Sequence, residues 1–396
     1  MASAETVIVA GVRTALGAFM GGLASVPAPR LGAACIKGLL DGTGVPGVQI
    51  DELIMGNCIA AGLGMNPARQ AAIFGGLPDS VGATTLNKAC ASGMMAVLIA
   101  DRAIRAGDAS LVIAGGMESM SRPPYLLLKA REGYRMGHCD VLDALIHDGL
   151  TDPFTNKHMG SFADQCAAKF GFTKEMQDDY AVRSHTRARD VTVSGISADE
   201  IVPVEITSRG KTTTFAIDEG PAKFDEPKLR GLSPAFNPEG TITAGNASSI
   251  NDGAAALLVG SAAKVRELGL TPQARIVGGA VFSREPEWFT IAPIGAVNKL
   301  LDKIGWTTAD VDLFEINEAF AAVAMVVKKE LQLPTEKVNI YGGAIALGHP
   351  IGCSGARILV TLLNALRRTG GRRGVATLCV GGGEGIAMAV EMIDGA

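Results

Sequence analysis

Short apolar runs alternate along the chain with stretches of helical periodicity, and glycine turns separate them. Thr6-Val7-Ile8-Val9-Ala10, Leu111 to Ala114, Asp312 to Ile316 and Val375 to Val380 read as buried strands. Thr84-Thr85-Leu86 leads toward a helix in which Met94, Val97, Leu98 and Ile104 recur at helical spacing, and Gly107-Asp108 stops it. Val338-Asn339-Ile340-Tyr341 reads as another strand, which leads through Gly342-Gly343 and His349-Pro350 into a helix from about Ser354 to Arg368. Alternation of this kind predicts an α/β fold with a mainly parallel sheet covered on both faces.

The pattern occurs twice. Asp51-Glu52-Leu53-Ile54-Met55-Gly56-Asn57 resembles Val311-Asp312-Leu313-Phe314-Glu315-Ile316-Asn317, 260 residues on. Ala91-Ser92-Gly93-Met94 resembles Cys353-Ser354-Gly355-Ala356 at an offset of 262, and Val112-Ile113-Ala114-Gly115-Gly116 resembles Leu378-Cys379-Val380-Gly381-Gly382 at 266. Three matches in one order argue for a duplicated unit over chance likeness between Gly/Ala-rich segments. Residues 121–250 have no counterpart and are richer in charge and proline, as in Arg122-Pro123-Pro124 and Glu226-Pro227. The expected division is therefore 1–120 plus 251–271 as one half, 121–250 as an inserted loop domain, and 272–396 as the other half. An insertion on the active-site side of such a core often carries ligand-binding loops.

Composition narrows the function. At 396 residues the chain exceeds one ordinary core. A net charge of −4 gives no basic footprint for nucleic acid, and no apolar run reaches membrane-spanning length. Seven cysteines without a Cys-x-x-Cys pair make structural zinc a poor reading and free thiols in a reducing compartment the natural one. An apolar strand already at Thr6 leaves no room for a secretory segment, so a cytoplasmic location is expected.

Four positions hold candidate chemistry. Cys90 sits at the mouth of a helix beside Ala91, Ser92 and Gly93, where the helix dipole and free N–H groups favour thiolate; an inert buried cysteine is the competing reading. His349, one of only five histidines, lies between Gly348 and Pro350 and suits a base or an oxyanion donor. Cys379 ends a strand before Gly381-Gly382-Gly383, whose backbone can face a developing negative charge; an ordinary core cysteine fits as well. Asn317 ends a strand and opens a helix, either as a plain N-cap or as an amide that positions a water or substrate oxygen.

Together these segments resemble the thiolase family. The motifs are Asn87-Lys88-Ala89-Cys90-Ala91-Ser92-Gly93, Gly115-Gly116-Met117-Glu118-Ser119-Met120-Ser121, Asn317-Glu318-Ala319-Phe320, Gly342 to Pro350, and Cys379-Val380-Gly381-Gly382. The likeness runs from Ala10-Gly11-Val12-Arg13-Thr14 to Gly385. It implies the thiolase fold: two pseudo-equivalent βαβαβ halves in a five-layer α-β-α-β-α core, plus the inserted loop domain. It implies that Cys90 is the acylated nucleophile, that His349 activates it, and that Cys379 moves a proton at the α-carbon of a second acyl-CoA. His349 with a water held by Asn317 would form one oxyanion hole, and the N–H groups of Cys90 and Gly381 the other.

Coenzyme A and acetyl-CoA are the implied substrates, with no further cofactor and no metal. Lys157-His158-Met159-Gly160 resembles the His-Met-Gly of short-chain, acetoacetyl-CoA-type members, in which this pair lies over the pantetheine and acyl group. Acetyl-CoA acetyltransfer is therefore expected, ahead of a broad-chain 3-ketoacyl-CoA thiolase, a ketoacyl-carrier-protein synthase, or a non-catalytic acyl-CoA-binding protein on the same fold. Ala235, Phe236, Ala244, Ser248, Ala319 and Phe320 align with residues that line the CoA site, and Phe289 stands where short-chain relatives often have Met. Lys223 follows Asp218-Glu219 where the family usually has Arg; it supplies charge to the nucleotide end or is simply an exposed lysine. Tyr125-Leu126-Leu127-Leu128 resembles the loop that pairs dimers into tetramers, so a homo-oligomer, a dimer of dimers, is implied.

Overall fold

The computed structural model of the protein describes residues 4–393. The first half contributes β1 (Thr6–Thr14), α1 (Ala28–Thr43), β2 (Glu52–Gly56), α2 (Pro67–Phe74), β3 (Gly82–Leu86), α3 (Ser92–Ala106) and β4 (Leu111–Ser119). A long excursion carrying α4 (Met159–Phe170) and α5 (Lys174–Val193) follows, and the chain returns as β5 (Asn251–Ser261). The second half contributes β6 (Ala274–Ser283), α6 (Ala292–Ile304), β7 (Leu313–Ile316), α7 (Ala321–Glu330), α8 (Ile351–Thr369), β8 (Arg373–Val380) and β9 (Glu384–Met392).

The main strands form one hydrogen-bonded path in the order β7-β8-β9-β6-β1-β5-β4-β2-β3. The halves join where Val7 and Ile8 of β1 pair with Arg275 and Ala274 of β6. The sheet is mixed, which corrects the expectation of a mainly parallel one. Only β2–β3, β2–β4 and β7–β8 run parallel among these pairs; β1–β5, β5–β4, β6–β9 and β8–β9 are antiparallel. The cause is the return from the excursion: Asp252 pairs with Ser119, so β5 lies beside β4 and runs back along it.

Two helices fill the centre. α3 and α8 pack on each other, with strands of the first half on one side and of the second half on the other. α1 and α2 cover the first half outside, and α6 covers the second. This is the five-layer order. Ile351 to Leu366 of α8 are all buried, as a helix sandwiched between two sheet halves must be.

The repeat is visible atom by atom. Asp51 Oδ2 accepts from the N–H groups of Ser110 and Leu111 at 2.6 and 2.9 Å, at the entry to β4. Its counterpart Asp312 accepts from Arg372 and Arg373, both at 2.8 Å, at the entry to β8.

Residues 338–341 depart from expectation. Val338 makes one isolated bridge to Phe314 instead of a strand. Asn339 has a φ of 46°, and its side chain takes the place of a ladder partner, accepting from Ile316 N at 2.7 Å and donating to Ile316 O at 2.8 Å. The helix after His349 also starts earlier than expected, at Ile351. Among the described residues no helix is long and apolar enough to cross a membrane, and all the cysteines are free.

Candidate active site

Cys90 sits on a tight turn just before α3. Ala89 has a φ of 44°, unusual for a residue with a Cβ, and its neighbours hold it there. Asn87 Oδ1 accepts from Ala89 N at 2.8 Å. Ser92 Oγ accepts from Lys88 N at 2.8 Å and donates to Ala89 O at 2.7 Å. The N–H groups of Gly381 and of Cys90 itself both approach the Cys90 sulfur. They do not make it a thiolate. Burial pushes the thiol up to about 11, and the Glu118 carboxylate adds a smaller push in the same direction. The expectation that the helix mouth favours thiolate is thus reversed by desolvation.

His349 is the candidate base for such a thiol. It is buried, and burial together with the charge of Arg357 lowers it to about 3, so the imidazole is neutral. Its Nδ1 lies 2.6 Å from Ser354 Oγ, which donates to Pro350 O at 3.0 Å. Ser354 therefore accepts from Nδ1–H, and Nε2 is left as the proton acceptor. Asn317 Nδ2 approaches that Nε2 at 3.4 Å, while Asn317 Oδ1 is buried with no hydrogen-bond partner among the described residues. Asn317 is not an N-cap, because α7 begins four residues later behind Phe320. Gly348 makes the loop possible: its φ is 113°, and a Cβ there would meet the Asn251 side chain within about 2.1 Å.

Cys379 lies at the end of β8 and is buried. Burial raises its thiol, and the nearby Cys90 sulfur raises it further. Gly382 and Gly383 both have positive φ, at 92° and 90°, so the turn after Cys379 needs glycine at these two.

Cys90, His349, Cys379 and Gly381 open onto one cavity of about 550 Å³. His158, Met159, Ala235, Phe236, Ala244, Ser248, Phe289, Ala319 and Phe320 line the same cavity. His158 stacks on Phe236 with ring centroids 4.6 Å apart, and Phe320 meets Phe236 edge-on. Met159 Sδ lies 3.4 Å from the place a Cβ on Gly381 would take. Lys223 is exposed and does not line the cavity. The Asp218-Glu219 pair before it is structural: Asp218 clamps the buried Arg13, and Glu219 accepts from Ala18 N.

Several residues were not singled out from the sequence. Glu118 is fully buried and accepts from Asn57 Nδ2 at 2.7 Å, Cys58 N at 2.9 Å and Gly352 N at 3.0 Å. It ties the start of the helix behind His349 to the half that carries Cys90. Burial raises its carboxyl to about 7. A lone acid in the otherwise apolar run Leu111 to Ser119 is the sequence signal that could have found it. Glu318 does similar work beside Asn317, accepting from Tyr180, Ser184 and Asn339. Ser354 and the apolar wall of Ile146 and Leu150 carried no sequence signal of their own.

Comparison with known proteins identifies the family. The model of the thiolase N-terminal domain matches residues 6–263, and that of the C-terminal domain matches residues 270–392. An acetyl-CoA acetyltransferase of Chromobacterium violaceum is 52% identical over 98% of this chain and 99% of its own. One of Pseudomonas aeruginosa is 50% identical over 97% and 98%. The crystal structure of the Bacillus anthracis acetyl-CoA acetyltransferase superposes with a TM-score of 0.97 at 43% identity, covering 99% of this chain and 100% of that one. Matched across both halves by family model, sequence and fold, the chain belongs to the thiolase family.

Proposed function

We propose that the protein is an acetyl-CoA C-acetyltransferase, which joins two acetyl-CoA into acetoacetyl-CoA and CoA and runs the reverse thiolysis by a ping-pong mechanism. The observation that carries this reading is the convergence of two protonated thiols and one neutral imidazole on a single apolar cavity.

His349 Nε2 takes the Cys90 proton as the sulfur attacks the thioester carbonyl. The N–H groups of Cys90 and Gly381 face the oxygen of the tetrahedral intermediate. The bond to the CoA sulfur breaks, and that sulfur leaves with the Cys379 proton. Cys379, now thiolate, removes a proton from the α-carbon of the second acetyl-CoA. The enolate oxygen is met by His349 Nε2–H and by a water held on Asn317. The carbanion attacks the acyl group, Cys90 departs and recovers its proton from His349. Both thiols end as they began, and the scheme calls on no redox cofactor.

The His158–Phe236–Phe320 wall suits the pantetheine arm, and Met159 and Phe289 narrow the acyl end to acetyl size. Tyr125, Leu128 and Met136 are exposed in the loop 121–145, which supports a dimer of dimers. Free thiols suit a reducing, cytoplasmic setting. An assay of acetoacetyl-CoA thiolysis with CoA tests the activity; no product from folded protein would contradict it.

A further inference from the structure

Outside the catalytic cavity, three cations converge on a cleft between α5 and α7. Arg183 and Arg187 come from α5 and Lys328 from α7, with Thr335 and Glu318 also lining the cleft. Arg187 is spent on structure: it donates to Val338 O, Asn339 O and Thr335 O at 2.7–3.2 Å. Lys328 Nζ makes one bond, to Thr335 Oγ1 at 2.7 Å, which leaves further ammonium protons and the Thr335 hydroxyl proton. Arg183 makes no hydrogen bond or ion pair among the described residues; its guanidinium only lies 4.9 Å over the Tyr180 ring.

Like charges held this close oppose one another. Burial and the neighbouring guanidinium groups lower both Arg187 and Lys328. The carboxylates nearby relieve it only in part: Glu318 and Glu315 draw on Arg187, but more weakly than burial and Arg183 oppose its charge. Glu318, at the floor, already accepts from Tyr180, Ser184, Asn339 and Ile345 N. Glu336 draws on Lys328 but ranks below the repulsion from Arg183 and Arg187. An anion at the rim, held by a free guanidinium fork, an ammonium and a hydroxyl, would discharge the cluster. Planar guanidinium with a second cation suits a tetrahedral oxyanion, which can take several charge-assisted bonds at once.

We propose that Arg183, Lys328 and Thr335 form a second ligand site that takes a phosphate dianion, free or as the end of a phosphomonoester. It shares no residue with the catalytic cavity and stands whether or not the proposed reaction does.

The test is calorimetric titration of the full-length protein with inorganic phosphate at constant ionic strength set with sodium chloride, with and without CoA. The expected result is one saturable phosphate site per chain that CoA does not displace. Binding should weaken at least tenfold in Arg183→Gln and in Lys328→Gln. Both variants should melt no lower than the parent in phosphate-free buffer, since each removes a repelling charge. A parallel titration with glycerol phosphate distinguishes the sources: binding of both ligands assigns the site to phosphomonoesters, and binding of phosphate alone assigns it to the free ion. No saturable binding, or equal binding by parent and both variants, would overturn the proposal.

Discussion

Gly93 and Gly355, equivalent positions in the two repeats, meet where the central helices α3 and α8 cross. A Cβ on Gly93 would lie 2.9 Å from Cys353 O, and one on Gly355 would lie 2.5 Å from Met94 N. The crossing sets how far apart the helices stand, and Cys90 and His349 lie just before their first turns. Gly355→Ala should therefore cost roughly 1–3 kcal/mol of stability by overpacking and lower turnover as well. Urea unfolding and steady-state rates check this; unchanged values for both would mean the crossing has room to spare.

Glu118 bridges the halves beneath the site. Glu118→Ala leaves the N–H groups of Cys58 and Gly352 unpaired, and the buried one on Gly352 alone costs about 1–3 kcal/mol. Glu118→Gln keeps the shape but turns an amide donor toward some of the same donors. We expect Gln to lower kcat at least tenfold while the KM for acetyl-CoA moves little, because Glu118 holds the machinery and does not line the cavity. A change confined to KM would contradict that role.

Cys90 is protonated at neutral pH, with its thiol raised to about 11. Its alkylation by iodoacetamide should speed up roughly tenfold per pH unit from pH 7 to 9. A plateau near pH 7 would show a preformed thiolate and return the helix mouth to the dominant role.

Two histidines, the buried His349 and the half-buried His185, sit below their ordinary range through desolvation, at about 3 and about 4. A depressed histidine contributes stability that is present above its unfolded value near 6.5 and is lost as pH falls toward the folded value. Each should steepen that loss by up to about 1.4 kcal/mol per pH unit between roughly pH 6 and 4. His185→Gln, which touches nothing in the cavity, should flatten the curve by about one such increment in urea unfolding at graded pH. An unaltered slope would mean that His185 charges freely in the folded protein.

Met159 and Phe289 set the acyl limit on this account. The parent should favour acetoacetyl-CoA over longer 3-ketoacyl-CoA in kcat/KM, and Met159→Ala should shift that ratio at least tenfold toward the longer chains. A parent that prefers long chains would place the protein with the broad-chain thiolases.

Much of this was legible in the sequence, because the repeat and the glycine turns are local features. Asp51 and Asp312 reveal the duplication by holding equivalent strand entries, and their motif predicted it. The sheet's mixed direction was not legible: it depends on β5 returning beside β4 after 131 intervening residues, a long-range choice that no local period encodes. The strand expected at 338–341 failed because Asn339 bonds the backbone through its own side chain, and β propensity carries no record of that competition. Cys90 was found for its place at a helix mouth, yet its ionisation follows from the apolar walls around it, which only folding assembles.

In the proposed reaction Cys90 carries the acyl group. Protein incubated with acetyl-CoA alone, quenched in acid and mapped by peptide mass spectrometry, tests it most directly. One acetyl group is expected on the Cys90 peptide, discharged on addition of CoA, and none on Cys58, Cys379 or any peptide of Cys90→Ala. An acetyl group on another residue, or a Cys90→Ala variant that turns over like the parent, would contradict it.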